Sequence, residues 1–159
     1  MIQSGGLYDR VSDLNCFWMA TDPGHLEDFS RGGVFLNYHP LRTYYVGQGG
    51  HGNTKTRFRR YAGGGERPCL PEHDLSAPSY LLQPNRTMKI ELIADGRRVQ
   101  YIRDGEVIFD FEDEHPCTEG WFGFRTVNSH IRIDDFRVFR LVSDPRVAEA
   151  KIYESFRKN

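Results

Sequence analysis

Three arginines on two candidate strands could do the simplest chemistry in this chain. Arg57 and Arg59 flank Phe58, and Arg125 follows Phe124. A guanidinium group presents paired N–H donors that match a carboxylate or a sulfate. These arginines therefore predict a surface that binds an anion. The alternative is that each is a solvated side chain, where a cross-strand pair with aspartate contributes ~0.2–1 kcal/mol.

Groups that can transfer a proton lie near the same segments. His51 follows a run of glycines, which let the backbone approach a ligand closely, and its imidazole could act as a general base. Tyr45 and Tyr61 carry hydroxyl groups that could act as acids. β-Elimination from a uronate needs a cation for the carboxylate, a base for the C5 proton and an acid for the leaving oxygen. The candidate catalytic residues are therefore His51, Tyr61 and Arg125; alternatively, His51 is a loop histidine without a role.

Acid-assisted glycoside hydrolysis is not supported. A retaining glycosidase needs two carboxyl groups about 5 Å apart on one face of a strand. Adjacent strand residues point to opposite faces, so the acidic run at residues 112–114 is interpreted as a solvated loop. Asp134 and Asp135 are better explained by a bulge or by a calcium-type pair of oxygen ligands. The cysteines, Cys16, Cys69 and Cys117, have no metal spacing, and no cofactor is expected.

Alternation along the candidate strands indicates which side chains share a face. The side chains expected in the core are Leu14, Cys16, Trp18, Tyr44, Val46, Phe58, Phe122 and Phe124. On the opposite face, Trp121 and Tyr45 would stack on sugar rings and Asn15 would bind hydroxyl groups. Trp121 could equally be a core anchor, and a one-residue bulge would exchange the two faces. The candidate binding residues are Asn15, Tyr45, Asn53, Arg57, Arg59, Trp121 and His130.

Short strands must position these residues. Asp95-Gly96 and Asp104-Gly105 lie between alternating runs, and an Asp-Gly pair in that place is the strongest short signal for a hairpin with a type I′ turn. Residues 62–82 form a long excursion, and a loop of that length in a compact domain is usually either functional or disordered. The pattern predicts an all-β protein, an antiparallel β-sandwich, with a short C-terminal helix. The main candidate strands cover residues 11–20, 34–38, 43–46, 56–61, 90–94, 97–103, 106–111, 120–126 and 131–141.

Composition excludes several classes of partner. The chain has 159 residues, 13% of them aromatic, and a net charge of −1. This length suits one domain, and the aromatic content can fill a β core. Without a net basic charge, a nucleic-acid partner is not expected. No apolar run reaches the roughly 18 residues of a membrane span, and no export signal is visible at the start.

Four segments in order resemble a known bacterial family. They are residues 9–20, 32–37, 52–61 and 120–126. The chain is similar in them to the YesU-like domains of the concanavalin A-like lectin/glucanase superfamily, which occur among polysaccharide-utilisation genes. The resemblance spans about residues 9–141. It implies a jelly-roll sandwich whose concave sheet holds glycans, and an oligosaccharide or polysaccharide as the partner.

The resemblance also shapes the expected organisation. We expect a tail over residues 1–8, the sandwich domain over 9–142 and a helical tail over 143–159. Family members carry a further N-terminal stretch, often with an export signal, which implies an exported or periplasmic full-length form. The strand at 131–141 then lacks a partner. We expect either a homodimer through an open sheet edge, formed by residues 131–138 or 11–20, or a shortened form of a longer protein.

Two functions from different classes follow. The favoured one is a carbohydrate-binding domain for acidic, uronate-containing glycans, carried by the arginines and aromatic residues of the free face. The alternative is a polysaccharide lyase, or another glycan-cleaving enzyme, that uses arginine, histidine and tyrosine.

Overall fold

The computed structural model describes residues 9–24 and 30–141, which form two antiparallel β-sheets. The strands are β1 (Leu14–Thr21), β2 (Arg42–Gly49), β3 (Lys55–Ala62), β4 (Asp74–Leu75), β5 (Ile90–Asp95), β6 (Arg98–Arg103), β7 (Glu106–Glu112) and β8 (Trp121–Arg125). Single helical turns cover Phe35–Tyr38, Gly50–Asn53, Pro71–His73 and Pro78–Tyr80. The prediction of an all-β protein is confirmed. Over the described ranges, no helix is long and apolar enough to cross a membrane.

The larger sheet has five strands in the order β4-β3-β2-β1-β8. Cys16 lies opposite Val46 of β2 on one side of β1 and opposite Phe124 of β8 on the other. Near Met19, which has a φ of 53°, the register of β1 shifts against both neighbours. Because β1 is paired on both sides, the expectation that residues 11–20 form an open edge is wrong.

The smaller sheet is a meander of β5, β6 and β7, joined by the two predicted hairpins. Asp104 and Gly105 both have positive φ, at 53° and 83°, as a type I′ turn requires. The first hairpin differs, because Asp95 pairs with Arg98 and the turn residues are therefore Gly96 and Arg97. Of these only Gly96 has a positive φ, which is the pattern of a type II′ turn.

The two sheets share one hydrophobic core. Trp18, Tyr44, Val46 and Phe58 of the five-stranded sheet pack in one cluster with residues of the meander. The meander residues of this cluster are Val99, Tyr101 and Phe109. The predicted alternation is thus confirmed for the core-facing side of β1, β2 and β3.

The opposite face of the five-stranded sheet, here called the outer face, is partly covered as well. Phe17, Tyr45 and Tyr61 form a second buried cluster there, and Phe35 and Tyr38 pack on it. Residues 34–38 were expected to be a strand, but Phe35–Tyr38 folds as a single 3₁₀ turn lying on this cluster. The expectation of a fully free face is therefore wrong over part of the sheet.

The C-terminal part also departs from the prediction. Apart from an isolated bridge at Ile131, residues 131–141 form no strand. Asp135 has a φ of 53°, a conformation that interrupts an extended run. The predicted helix at 143–159 and the predicted tail at 1–8 lie outside the described residues.

Candidate functional site: the arginine-lined outer face

One row of residues crosses the whole outer face. Arg57 lies opposite Asp74 on one side and opposite Gly47 on the other. Gly47 in turn lies opposite Asn15, and Asn15 lies opposite Arg125. The register thus places predicted binding residues of β1, β3 and β8 in a single line. Arg57 and Arg125 are separated by three inter-strand spacings, or about 14 Å.

An open slot lies at the β8 end of this face. Phe122 packs against the shared core, whereas Phe124, which was also expected in the core, packs on Phe122 and is 39% exposed. By alternation with Phe122, the side of β8 that carries Trp121, Gly123 and Arg125 faces outward. Trp121 is 59% exposed, and nothing lies within 4 Å of the point where a Cβ of Gly123 would be. The slot is therefore bounded by an indole on one side and a guanidinium group on the other. Trp121 is therefore not a core anchor, and stacking on a sugar ring stays a prediction.

Phe35 brings two guanidinium groups together beside this slot. The guanidinium carbons of Arg125 and Arg67 lie 5.0 Å and 5.3 Å from the centre of the Phe35 ring. Arg125 Nε donates a hydrogen bond of 2.8 Å to the backbone oxygen of Gly33, which fixes the direction of the group. Arg59 joins them by donating from Nη1 to the backbone oxygen of Arg67.

We call Arg59, Arg67 and Arg125 the arginine cluster. In the described part of the chain, none of the three has a carboxylate oxygen within 4.0 Å. Because the guanidinium carbons of Arg67 and Arg125 both lie within 5.3 Å of the Phe35 ring centre, they are at most about 10 Å apart. Like charges at such a distance in partly buried positions repel each other by about 1 kcal/mol or more. An anion bound among them would reduce this repulsion.

Tyr45 and Asn15 support the face from below. Tyr45 donates a hydrogen bond of 2.5 Å from its hydroxyl to Asn15 Oδ1, and Asn15 Nδ2 donates to the backbone oxygen of Arg125 at 3.0 Å. The Tyr45 hydroxyl occupies the space that a Cβ of Gly47 would need. Both side chains are buried. Their predicted roles, stacking for Tyr45 and hydroxyl binding for Asn15, are corrected to holding β8 and its arginine in place.

Tyr61 lies beneath the cluster and does not reach solvent. Its exposed fraction is 0%, and within the described residues its hydroxyl makes no well-formed hydrogen bond. Burial raises the pKa of Tyr61, while the positive charges of Arg67, Arg59 and Arg125 oppose that rise. A hydroxyl enclosed in this way cannot give a proton to a substrate at the surface. The expectation of a catalytic Tyr61 is therefore corrected.

Arg57 is engaged in an ion pair. Its Nε and Nη2 donate to the two carboxylate oxygens of Asp74, each at 3.0 Å, and its Nη1 lies 2.7 Å from His51 Nε2. The hydrogen bond with Asp74 raises the pKa of Arg57 and lowers the pKa of Asp74. Because a guanidinium only donates, Nε2 of His51 is the acceptor and its proton is assigned to Nδ1. The lone pair that a general base would use is thus occupied.

His51 and Asn53 belong to one left-handed turn. Their φ values are 53° and 63°, and Gly52 between them has a φ of 67°. Asn53 was predicted to bind a ligand, but its side chain is engaged within the protein. Instead its amide fastens the turn to Leu82, with Nδ2 donating to the backbone oxygen and Oδ1 accepting from the backbone N–H, both at 2.9 Å.

Two further predicted features lie elsewhere. His130 Nδ1 is 2.6 Å from Asp9 Oδ1, so within the described residues its imidazole is paired with Asp9 and not with the arginine cluster. Asp134 pairs with Arg132 and Asp135 pairs with Arg137, each at 2.8 Å. The two aspartates therefore do not act together as oxygen ligands. No group of metal-binding side chains occurs in the part of the chain that the structure describes.

A depression of about 490 Å³ lies on another side, and its lining includes Arg42, Arg60, Asp113 and His115. Arg42 and Arg60 both donate to the backbone oxygen of His115, at 3.1 Å and 2.8 Å. Asp113 accepts hydrogen bonds from Arg60 and Tyr44. These contacts fasten the chain after β7 to β2 and β3, so we interpret the depression as a structural junction.

Sequence reasoning missed Arg67 and Phe35. Arg67 lies in the excursion at 62–82, and the length of that excursion was the one feature of the sequence that pointed to a functional role there. Phe35 was assigned to a strand because its neighbours Val34 and Leu36 are also apolar. The turn that it forms is explained by its packing on Phe17 and Tyr45, which the local sequence does not show. Neither residue carries a local pattern that links it to Arg125.

Comparison with known proteins adds one relationship. No curated protein and no solved structure matches the chain. The family described as a domain of unknown function (DUF6250) matches residues 1–136, and the chain belongs to that family.

Proposed function

We propose that this protein is a carbohydrate-binding domain for acidic glycans, with the slot at Gly123 as its binding site. The observation that carries the proposal is the outward row of Trp121, Gly123 and Arg125 on β8 beside the arginine cluster. A sugar ring over Gly123 can stack its apolar face on the indole. Its carboxylate then meets guanidinium groups that have no carboxylate partner in the described chain.

The same proposal includes the finer fold. Two antiparallel sheets with one shared core are what a concanavalin A-like jelly-roll sandwich requires, and the resemblance to YesU-like domains points the same way. In that arrangement the outer face is the glycan-binding sheet. Polysaccharide utilisation is then the process in which the domain would act.

Binding is favoured over lyase chemistry by position. A lyase needs its base, acid and cation around one sugar. His51 lies beside Arg57, about 14 Å along the row from Arg125, and its Nε2 accepts from Arg57. Tyr61 is buried. The three predicted catalytic residues therefore do not converge, whereas the indole, the open glycine and the arginine do.

Calorimetry with uronate-containing oligosaccharides tests the proposal. We expect a dissociation constant of roughly micromolar to millimolar, and a loss of about 10- to 100-fold in Arg125→Gln, since a hydrogen bond to a charged group contributes ~1.5–3 kcal/mol. Arg97→Gln makes the same charge change at an exposed residue of the turn between β5 and β6, where Arg97 pairs with Glu112, and this variant should bind as wild type does.

The same samples distinguish the alternatives. The absence of heat with every acidic and neutral glycan would remove the binding proposal. The appearance of ultraviolet absorbance from an unsaturated uronate would replace it with the lyase.

A further inference from the structure

We propose that Phe35 is a positioning residue that holds Arg67 and Arg125 as a pair for one carboxylate, and so sets the preference for acidic over neutral sugars. This inference rests on the proposed function and assigns its selectivity to a ring that would touch the charged groups of the site. The ligand class it names is a sugar with a carboxylate on the ring, a uronate.

The geometry around the ring carries the inference. Both guanidinium carbons lie within 5.3 Å of the ring centre, where the electron-rich face of an aromatic ring attracts a cation. The ring itself is fixed by Tyr45 at 6.0 Å between centroids and by the edge-on contact with His39 at 5.3 Å. One set of packed, partly buried rings thus contacts two side chains that come from distant parts of the chain.

A flexible arginine alone would not give this arrangement. Arg67 lies on the excursion after β3 and Arg125 on β8, and like charges separate unless something holds them. In the described residues no carboxylate does so, and the Phe35 ring is the group that both guanidinium groups share. Planar guanidinium groups held together suit a planar carboxylate.

The turn that carries Phe35 has its own anchors. Tyr38 stacks on Phe17 with centroids 5.0 Å apart, and the backbone closes with hydrogen bonds from Asn37 to Val34 and from His39 to Leu36. Replacing the Phe35 ring therefore leaves the position of the turn to these contacts.

The experiment compares two ligands and three variants. One ligand is a trigalacturonate and the other is the same trisaccharide with its carboxylates reduced to alcohols. For Phe35→Leu we expect a loss of about 5- to 30-fold in affinity for the acid and less than twofold for the neutral sugar. Phe35→Tyr keeps an aromatic face and should bind the acid within twofold of wild type. Leu36→Ala, an exposed neighbour on the same turn, is the matched control.

The outcomes separate the inference from the proposed function. Wild type that binds neither ligand overturns both. Wild type that binds the acid while Phe35→Leu binds it equally well overturns the inference alone. A parallel loss for acid and neutral sugar also overturns it, because Phe35 would then only shape the slot. If Phe35→Leu does not fold, Arg67→Gln decides: the inference requires the same acid-selective loss, and unchanged affinity overturns it.

Discussion

Asp113 shows how a single buried carboxylate can organise a junction between elements. Its Oδ2 accepts from the Tyr44 hydroxyl at 2.8 Å and from Arg60 Nε at 3.0 Å, and its Oδ1 accepts from the His115 N–H at 2.9 Å. Burial alone would raise its pKa, but these hydrogen bonds and the charge of Arg60 outweigh burial and lower it. The ionised form is therefore part of the folded structure.

We expect Asp113→Ala to lower the free energy of unfolding by about 3–5 kcal/mol, because Arg60 and Tyr44 lose their buried partner. Urea unfolding at pH 7 measures it, and Glu114→Ala, at an exposed neighbouring carboxylate, should change stability by less than about 0.5 kcal/mol. If Asp113→Ala lowers the free energy of unfolding no more than Glu114→Ala does, Asp113 does not stabilise the junction.

At the scale of single residues, sequence could predict the type of chemistry but not the surroundings of each group. Alternation correctly placed Arg125 and Trp121 on the outward side of β8. It could not show that Asp74 would pair with Arg57, because that aspartate comes from a two-residue strand within the long excursion at 62–82. Nor could it show that Tyr45 and Tyr61 would be buried, since their cover comes from the Phe35–Tyr38 turn, which lies outside both of their strands.

The left-handed turn at Gly50–Asn53 is fastened to the rest of the molecule by the side chain of Asn53. Asn53 has a positive φ and also makes both hydrogen bonds to Leu82, which tie the excursion to the β2–β3 hairpin. These two properties can be separated, because glycine accepts the backbone conformation while alanine does not.

We expect Asn53→Ala to lower the free energy of unfolding by about 2–4 kcal/mol, from the lost hydrogen bonds and from strain at positive φ. Asn53→Gly should lose about 1 kcal/mol less, since only the hydrogen bonds are removed. Thermal and urea unfolding of both variants provide the measurement. Equal losses in the two would mean that backbone strain contributes nothing at this position.

At the scale of elements, the two hairpins of the meander and most strands were predictable, because Asp-Gly turns and period-two alternation are local signals. Residues 34–38 and 131–141 were not. Both have the apolar content of strands, but Phe35–Tyr38 packs as a turn on the outer cluster, and positive φ at Asp135 interrupts the last segment. The packing of residues 35–38 and the backbone conformation at Asp135 are not visible in the local alternation of the sequence.

His73 connects the two sheets and makes the stability of the whole molecule depend on pH. Its ring packs edge-on against Phe58 of β3 at 5.0 Å and against Phe109 and Phe111 of β7 at 5.6 Å and 5.9 Å. Burial lowers its pKa, so the folded state holds the neutral ring. The unfolded chain binds a proton near pH 6.5 more readily than the folded chain does.

The contribution of neutral His73 to the free energy of unfolding is therefore fully present above about pH 6.5. It is lost as the pH falls below that value, by at most about 1.4 kcal/mol per pH unit. We expect wild type to weaken more than His73→Leu between pH 7.5 and pH 5.5 in urea unfolding. His39, whose pKa is also lowered by burial, adds the same trend to both proteins. Parallel pH profiles of the two would contradict this account.

Association through a sheet edge stays a prediction at this scale. β1 is excluded because it is an interior strand, and residues 131–138 form no strand that could add to a sheet. Within the described residues, β5 and β7 are the outer strands of the meander. Light scattering of the purified chain measures the mass that decides between one copy and two.

The contact between Gly47 and Tyr45 has a consequence for inheritance. Because the tyrosine hydroxyl fills the space above position 47, any side chain there would displace it and release Asn15, which holds the Arg125 backbone. Substitutions at positions 45 and 47 are therefore coupled. A lineage that gained a larger residue at 47 would have to shorten the side chain at 45 as well, and Asn15 would then lose the hydroxyl that holds it against the Arg125 backbone.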